Sequence, residues 1–120
     1  MGFIRNLLAR LEDSVISKGN KKVYRGIIFC DVNLDDSDDQ EFFRITGEAI
    51  DLIAQVDPRR FKRVKKELKY IINNELLSRG QYRRRLNACV IDFGRYKFAE
   101  DYQWYLYDYA GTIIHEDNHS

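Results

Sequence analysis

The sequence predicts an α+β fold in which helices pack on a small sheet, with the element order α-β-α-α-β-α. Apolar residues recur at helical spacing in four segments, and two other short runs are rich in β-branched and aromatic residues, as strands are. The chain has 120 residues, of which 44% are hydrophobic and 32% charged, and this matches one globular unit. We therefore expect a single domain over residues 1–120.

The absence of membrane and secretion signals, and the setting of the two cysteines, indicate the compartment of the protein and the redox state of its thiols. No apolar run approaches the roughly 20 residues that span a bilayer, and no secretory signal precedes the first helix. Cys30 and Cys89 each fall inside an apolar, strand-like run, which favours buried thiols in a reducing compartment over metal ligands. We expect a cytoplasmic protein.

The first two predicted elements are a helix over residues 3–17 and a strand over residues 23–34. The helix has an apolar side, and Lys18-Gly19 ends it with a cation and a residue that tolerates positive φ. It is expected to pack on its own domain, with a membrane surface or a partner helix as alternatives. Its apolar residues are Phe3, Ile4, Leu7, Leu8, Leu11 and Val15.

An acidic run at residues 35–39 precedes the second helix, predicted over residues 38–55. It lacks the glycine and the terminal glutamate of an EF-hand calcium loop, so Ser37 with Gln40 is interpreted as a capping box. Asp57 followed by Pro58 predicts an N-cap and the first residue of a third helix, over residues 58–77, and Ser78-Arg79-Gly80 is interpreted as its end. These helices are expected to form an antiparallel hairpin with six buried side chains: Phe42, Phe43, Ile50, Val64, Leu68 and Ile71.

The last two predicted elements are a strand over Leu86–Phe93 and an aromatic helix that starts near Ala99. The helix continues through Ile113 and Ile114 into the last residues of the sequence. Gly111 within it is expected to weaken the helix by about 1 kcal/mol relative to alanine, unless close packing requires it.

The final helix carries the clearest functional signal, the pentapeptide His115-Glu116-Asp117-Asn118-His119. Residues four apart stand on one helix face, so both imidazoles could bind one metal ion. Glu116 would lie beside that ion, where it could take a proton from a water molecule. Asp108, two turns before His115, suits an outer contact to an imidazole, and Asp92, at the end of the preceding strand, is a candidate third ligand.

This HExxH pattern resembles the zinc-binding helix of zincin-type metallopeptidases. The resemblance implies His115 and His119 as zinc ligands, Glu116 as the base that activates a water molecule, and a peptide or protein as substrate. Fe²⁺ is the alternative metal, because two histidines and a carboxylate also hold Fe²⁺. The third ligand that such enzymes take from further downstream does not follow His119. The chain is therefore expected to be the truncated, N-terminal part of a longer metallopeptidase-like domain, inactive alone.

The charge distribution suggests the alternative function. Residues 31–57 hold nine acidic residues and one basic one, whereas residues 59–85 hold eleven basic residues against two acidic ones. The two segments could attract one another, or the basic one could meet an anionic partner as a non-catalytic interaction domain. Without a nucleic-acid-binding motif, we do not expect nucleic acid or a membrane as the leading partner.

Overall fold

The computed structural model describes residues 19–32, 39–74 and 80–118, with the side chain of Arg85 excepted. The predicted helix over residues 3–17, Ser37 of the predicted capping box, most of the acidic run and His119 lie outside these ranges. Within them the fold is α+β, as predicted: three helices and a five-stranded mixed sheet. The described order is β-β-α-α-β-β-β-α, which is richer in strands than the predicted order.

The strands are β1 (Asn20–Tyr24), β2 (Ile27–Asp31), β3 (Tyr70–Asn73), β4 (Gly80–Arg83) and β5 (Ala88–Ile91). The helices are α1 (Asp39–Val56), α2 (Pro58–Glu67) and α3 (Tyr102–Asp117), and short 3₁₀ turns span Arg84–Leu86 and Phe93–Arg95. The sheet order is β1-β2-β3-β5-β4. The three central strands β2, β3 and β5 are parallel, and both edge strands are antiparallel to their neighbours.

The single strand predicted over residues 23–34 is wrong in its first part, because the chain there forms a hairpin. Arg25 and Gly26 have φ of 50° and 84°, and Tyr24 pairs with Ile27 across them. Positive φ at both central residues is the backbone of the two-residue hairpin turn that matches strand twist. Glycine adopts this conformation without strain, so Gly26 is what divides the run into two strands.

The helix predicted over residues 58–77 ends at Glu67, and its second half is strand β3. Asp57 is the N-cap as predicted: its carboxylate accepts from the backbone N–H of Arg60, and Pro58 follows it. Leu68 then takes an extended conformation, with φ of −101° and ψ of 118°. A central parallel strand is buried on both faces, so its unbroken apolar run lacks the alternation that marks a half-buried strand.

The remaining boundaries differ less. Strand β4 was not predicted, because Gly80 was interpreted as the end of the preceding helix. Strand β5 is shorter than the predicted Leu86–Phe93, and α3 begins three residues after Ala99. Helix α1 agrees closely with its prediction, and all six side chains predicted to be buried in the helical hairpin are buried.

The main core lies between one face of the sheet and all three helices. Ile27, Phe29 and Ile71 project from this face of the sheet against the apolar sides of the helices. An aromatic cluster forms the part of this core that packs against α3. Its rings meet at centroid distances of 5.1–5.8 Å and come from Phe93, Tyr96, Phe98 and Tyr109.

The two cysteines are buried on opposite faces of the sheet, Cys89 on the helical face and Cys30 on the other. The prediction of buried thiols is confirmed. None of the helices in the described ranges combines the length and the apolar character needed to cross a membrane.

Candidate metal site

The orientation of α3 is fixed by contacts at its start and along its buried side. Asp101 is the N-cap, accepting from the backbone N–H of Trp104 at 3.2 Å. The hydroxyl of Tyr109 is hydrogen-bonded to Oγ1 of Thr46 on α1 at 2.6 Å, inside the core. Thr112 shares a 2.7 Å hydrogen bond with the hydroxyl of Tyr96. These contacts leave the opposite side of α3 facing solvent, where His115 lies.

A surface pocket of about 480 Å³ lies between the C-terminal half of α3 and the start of β4. His115 and Glu116 both line it, with Nε2 of His115 3.8 Å from Oε1 of Glu116. The His115 side chain is 72% exposed, whereas that of Glu116 is 8% exposed. The pocket therefore brings an accessible imidazole beside a nearly buried carboxyl. The other lining residues are Gly80, Tyr107, Asp108, Gly111 and Thr112.

Gly80 forms the wall of this pocket, and the sequence analysis did not identify it. A Cβ placed on Gly80 would lie 2.7 Å from Cγ2 of Thr112 and 3.2 Å from Cγ of Glu116. Only glycine lets β4 approach α3 so closely, because real Cβ atoms essentially never approach another heavy atom within 3.0 Å. The signal in the sequence was the glycine itself, which was interpreted as a helix end rather than as a close backbone contact.

The predicted metal-binding residues are only partly brought together in the described ranges. Helix α3 ends at Asp117, with Asn118 as its C-cap, and His119 lies outside the part that the structure describes. Asp108 lines the same pocket as His115, which suits the predicted outer contact. Among the described residues there is no group of three His, Cys, Asp or Glu side chains that could hold a metal ion. Those residues alone therefore do not fit a tightly held zinc ion.

Asp92, the candidate third ligand, belongs to a different cluster. It follows β5, where its Oδ2 accepts from Nε of Arg95 at 3.0 Å. Asn73, at the end of β3, donates to Asp31 at the end of β2 and accepts from the backbone N–H of Phe93. Asp31, Asn73 and Asp92 are all buried at the carboxyl ends of the three parallel strands. This cluster joins those strand ends through hydrogen bonds.

Asp117, inside the HExxH motif, is buried in an unusual environment. Its carboxylate is fully buried, and neither oxygen has a hydrogen-bond partner in the described part of the chain. Burial, and then the nearby Glu67 carboxylate, raise the pKa of Asp117 from 3.8 to about 6. Arg63 opposes this rise only in part, because its Nε is 4.0 Å from Oδ2 of Asp117. The charged form of Asp117 is therefore electrostatically unfavourable at the contact between α2 and α3.

The basic surface of α2 is exposed, as an anionic partner would require. Arg63 pairs with Glu67 within the helix at 2.9 Å, and Arg60 donates to Oδ1 of Asn118. Arg84 lines a small pocket with Lys66 and Glu67 at the end of α2, and Arg83, also exposed, pairs with Ala88 on the opposite face of the sheet. The exposed cations of the helix and the residues just after it are Arg59, Lys62, Arg63, Lys65, Lys66 and Lys69.

Comparison with known proteins found no relative: no family model matches the chain, and no curated protein or solved structure matches it. The features of this chain that indicate a function are its pocket, its buried polar groups and its exposed charges.

Proposed function

We propose that the protein is a zinc-dependent metallopeptidase-like protein whose metal-binding helix is α3. The observation that carries the proposal is the pocket in which the accessible imidazole of His115 lies beside the carboxyl of Glu116. In a helix that continued past Asn118, the HExxH spacing would direct the imidazole of His119 to the same side of the helix as that of His115. Asp108, on the same pocket wall, would orient an imidazole by accepting a hydrogen bond.

The roles follow from position and chemistry. His115 and His119 would hold the metal ion, which when bound acts as a Lewis acid toward a peptide carbonyl. Glu116 has little exposed surface but borders the pocket, so it would accept a proton from a water molecule there. The substrate would be a peptide or protein.

The proposal includes weak metal binding and no activity for these 120 residues alone. Catalytic zinc sites take three protein ligands and leave one position open, and the described residues supply no such trio. Two imidazoles would hold Zn²⁺ loosely. Fe²⁺ remains the alternative ion, for the same donor set.

Zinc titration of untagged protein by calorimetry tests the metal site. We expect modest affinity, abolished by His115→Ala and by His119→Ala, and retained by Gln103→Ala, which changes an exposed residue of α3 away from the pocket. Binding that survives either histidine substitution would contradict the proposal. Chelator-sensitive cleavage of a peptide library by the wild-type chain would refute the predicted inactivity.

The second candidate is a non-catalytic interaction domain, and the exposed cations of α2 favour it. Together with Arg84, which lies near Lys66, they offer a surface for a polyanion such as a nucleic-acid backbone. The test is the anisotropy of a labelled oligonucleotide at increasing salt. Loss of binding by about 0.15 M salt, where the Debye length is about 8 Å, would exclude this candidate.

A triple substitution locates the surface if binding persists. Changing Arg83, Arg84 and Arg85 to alanine should weaken binding and reduce its salt dependence, because each phosphate contact releases counterions. Lys21→Ala with Lys22→Ala on β1 is the control, since these exposed lysines lie on the far edge strand of the sheet.

A further inference from the structure

The face of the sheet opposite the helices is apolar at its centre and polar at its edges. One row of paired residues crosses all five strands and has Cys30, Ile72 and Val90 in the middle. Its two ends, on the edge strands, are Lys21 and Gln81. Ala88 belongs to the neighbouring row, and these apolar side chains form a cluster separate from the main core. This face is called the second face below.

The centre of the second face is out of contact with water. Cys30 and Ala88 are 0% exposed, and Ile72 and Val90 are 4% and 5% exposed. The described helices pack on the other face, through the cluster that contains Ile27, Phe29 and Ile71. Such burial is typical of a covered sheet face, and none of the three described helices contributes a residue to this cluster.

The path of the chain at Gly19 indicates which segment this is. A Cβ placed on Gly19 would lie 2.7 Å from Sγ of Cys30 and 2.8 Å from Cγ1 of Val32, both of which belong to the second-face cluster. The chain therefore enters β1 directly over the second face. Any side chain at position 19 would collide with that face, so this glycine permits the close approach.

We propose that residues 3–17 cover the second face of the sheet. This segment carries six apolar residues at helical spacing, with Arg5, Arg10, Glu12 and Asp13 outside the apolar stripe. A helix of 15 residues is about 22 Å long, and five strands spaced about 4.8 Å apart span about 19 Å. The segment thus matches the second face in apolar character and in length, and it leads into β1 through Gly19.

The rate at which the Cys30 thiol reacts with a labelling reagent measures whether residues 3–17 shield the second face. Cys89, on the helical face, is an internal control. N-ethylmaleimide labelling followed by peptide mass spectrometry measures both thiols in one experiment. Leu7→Asp should raise the labelling rate of Cys30 about ten-fold or more, which corresponds to about 1.4 kcal/mol of easier local opening, with Cys89 unchanged. Asn6→Asp adds the same charge on the polar side and should leave both rates as in the wild type.

Equal protection of Cys30 in the two variants would overturn the proposal. Protection in the wild type that disappears on dilution would also overturn it, because a second copy of the chain would then be the cover.

A cross-linking measurement keeps the test decisive if Leu7→Asp unfolds. The intact chain with Leu8→p-benzoylphenylalanine should cross-link, on illumination, within one molecule to peptides that contain Ile72 or Val90. Cross-links to α1, α2 or α3, links between two molecules, or no link to the sheet would each overturn the proposal.

Discussion

Gly80 and Gly111 line the same pocket, but a methyl group added to each would meet different surroundings. At Gly80 the new Cβ would lie 2.7 Å from Cγ2 of Thr112, whereas nothing lies within 4 Å of a Cβ at Gly111. The hydrogen bond between Thr112 and Tyr96 holds the Thr112 side chain in its rotamer, so a change of rotamer would break that bond. The two positions form a matched pair of single-methyl substitutions.

Gly80→Ala should destabilise the protein by about 1–3 kcal/mol, because the methyl group overpacks the contact between β4 and α3. Gly111→Ala should stabilise it by up to about 1 kcal/mol, because alanine is the better helix former and the space is open. Urea unfolding at neutral pH measures both changes. Equal effects of the two substitutions would mean that β4 does not lie against α3 as described.

The raised pKa of Asp117 predicts a specific dependence of stability on pH. Its pKa is about 6 in the folded protein against 3.8 ordinarily, so between these values the folded state binds more protons than the unfolded state. Stability from this group is therefore highest below pH 3.8 and falls as the pH rises through about 6. The negative charge that then forms is buried and lies at the C-terminal end of a helix, where the dipole also opposes it.

Asp117→Asn should remove this dependence and stabilise the protein at pH 7 by about 1–3 kcal/mol, since the amide stays neutral and each pKa unit corresponds to about 1.4 kcal/mol. The measurement is the difference in the free energy of unfolding between variant and wild type at pH 4 and at pH 7. A difference that does not grow toward pH 7 would contradict the assigned pKa. Glu116→Gln at the neighbouring position is the matched control.

At the scale of elements, the contact between α1 and α3 includes one buried hydrogen bond. The hydroxyls of Thr46 and Tyr109 are 2.6 Å apart, and both residues are 0% exposed. Burial also raises the pKa of Tyr109 well above its usual value, so this hydroxyl stays protonated. Because water cannot replace either partner, the two residues should be energetically coupled.

Tyr109→Phe should cost about 1–2 kcal/mol, because it leaves the Thr46 hydroxyl without this partner. Combining it with Thr46→Val should cost less than the sum of the single changes, as a double-mutant cycle by urea unfolding would show. Simple additivity would mean that the hydroxyls do not interact. Tyr107→Phe, on the exposed side of α3, is the control and should be neutral.

The sequence predicts the elements whose signals are local. Helix α1 has a full amphipathic period, and Asp57-Pro58 marks the start of α2 through capping chemistry that involves only neighbouring residues. The segment from Leu68 to Ile72 was assigned wrongly because its apolar spacing fits either a helix or a short buried strand. Its pairing with β2 and β5, which decides the matter, is a contact between distant parts of the chain.

The pocket shows the same division. His115 and Glu116 were identified from the spacing on one helix, and the structure places both at one pocket. Gly80 and the hydrogen-bonded cluster at Asp31 and Asn73 were not identified, because strand pairing creates them. Local patterns therefore identify the pocket residues of α3, whereas the order of the strands in the sheet is needed to identify β4 as their neighbour.

At the scale of the whole molecule, the sheet is most buried at its centre and least at its edges. Strands β3 and β5 are buried along nearly their entire length, whereas four of the five residues of β1 are exposed. The central strands have neighbours on both sides, and each edge strand has one. Exposed backbone hydrogen bonds and few buried contacts are the features of regions that open first.

Native-state hydrogen exchange should therefore rank the strands by position rather than by order in the chain. The amides of Ile71, Ile72, Cys89 and Val90 should exchange slowest, near the rate set by global unfolding. Those of Lys22 in β1 and Gln81 in β4, both on exposed edge strands, should exchange faster through local opening. NMR exchange rates at several denaturant concentrations separate the two regimes, because only global opening depends strongly on denaturant. Amides of β1 as protected as those of β3 would show that β1 is not the edge of the sheet.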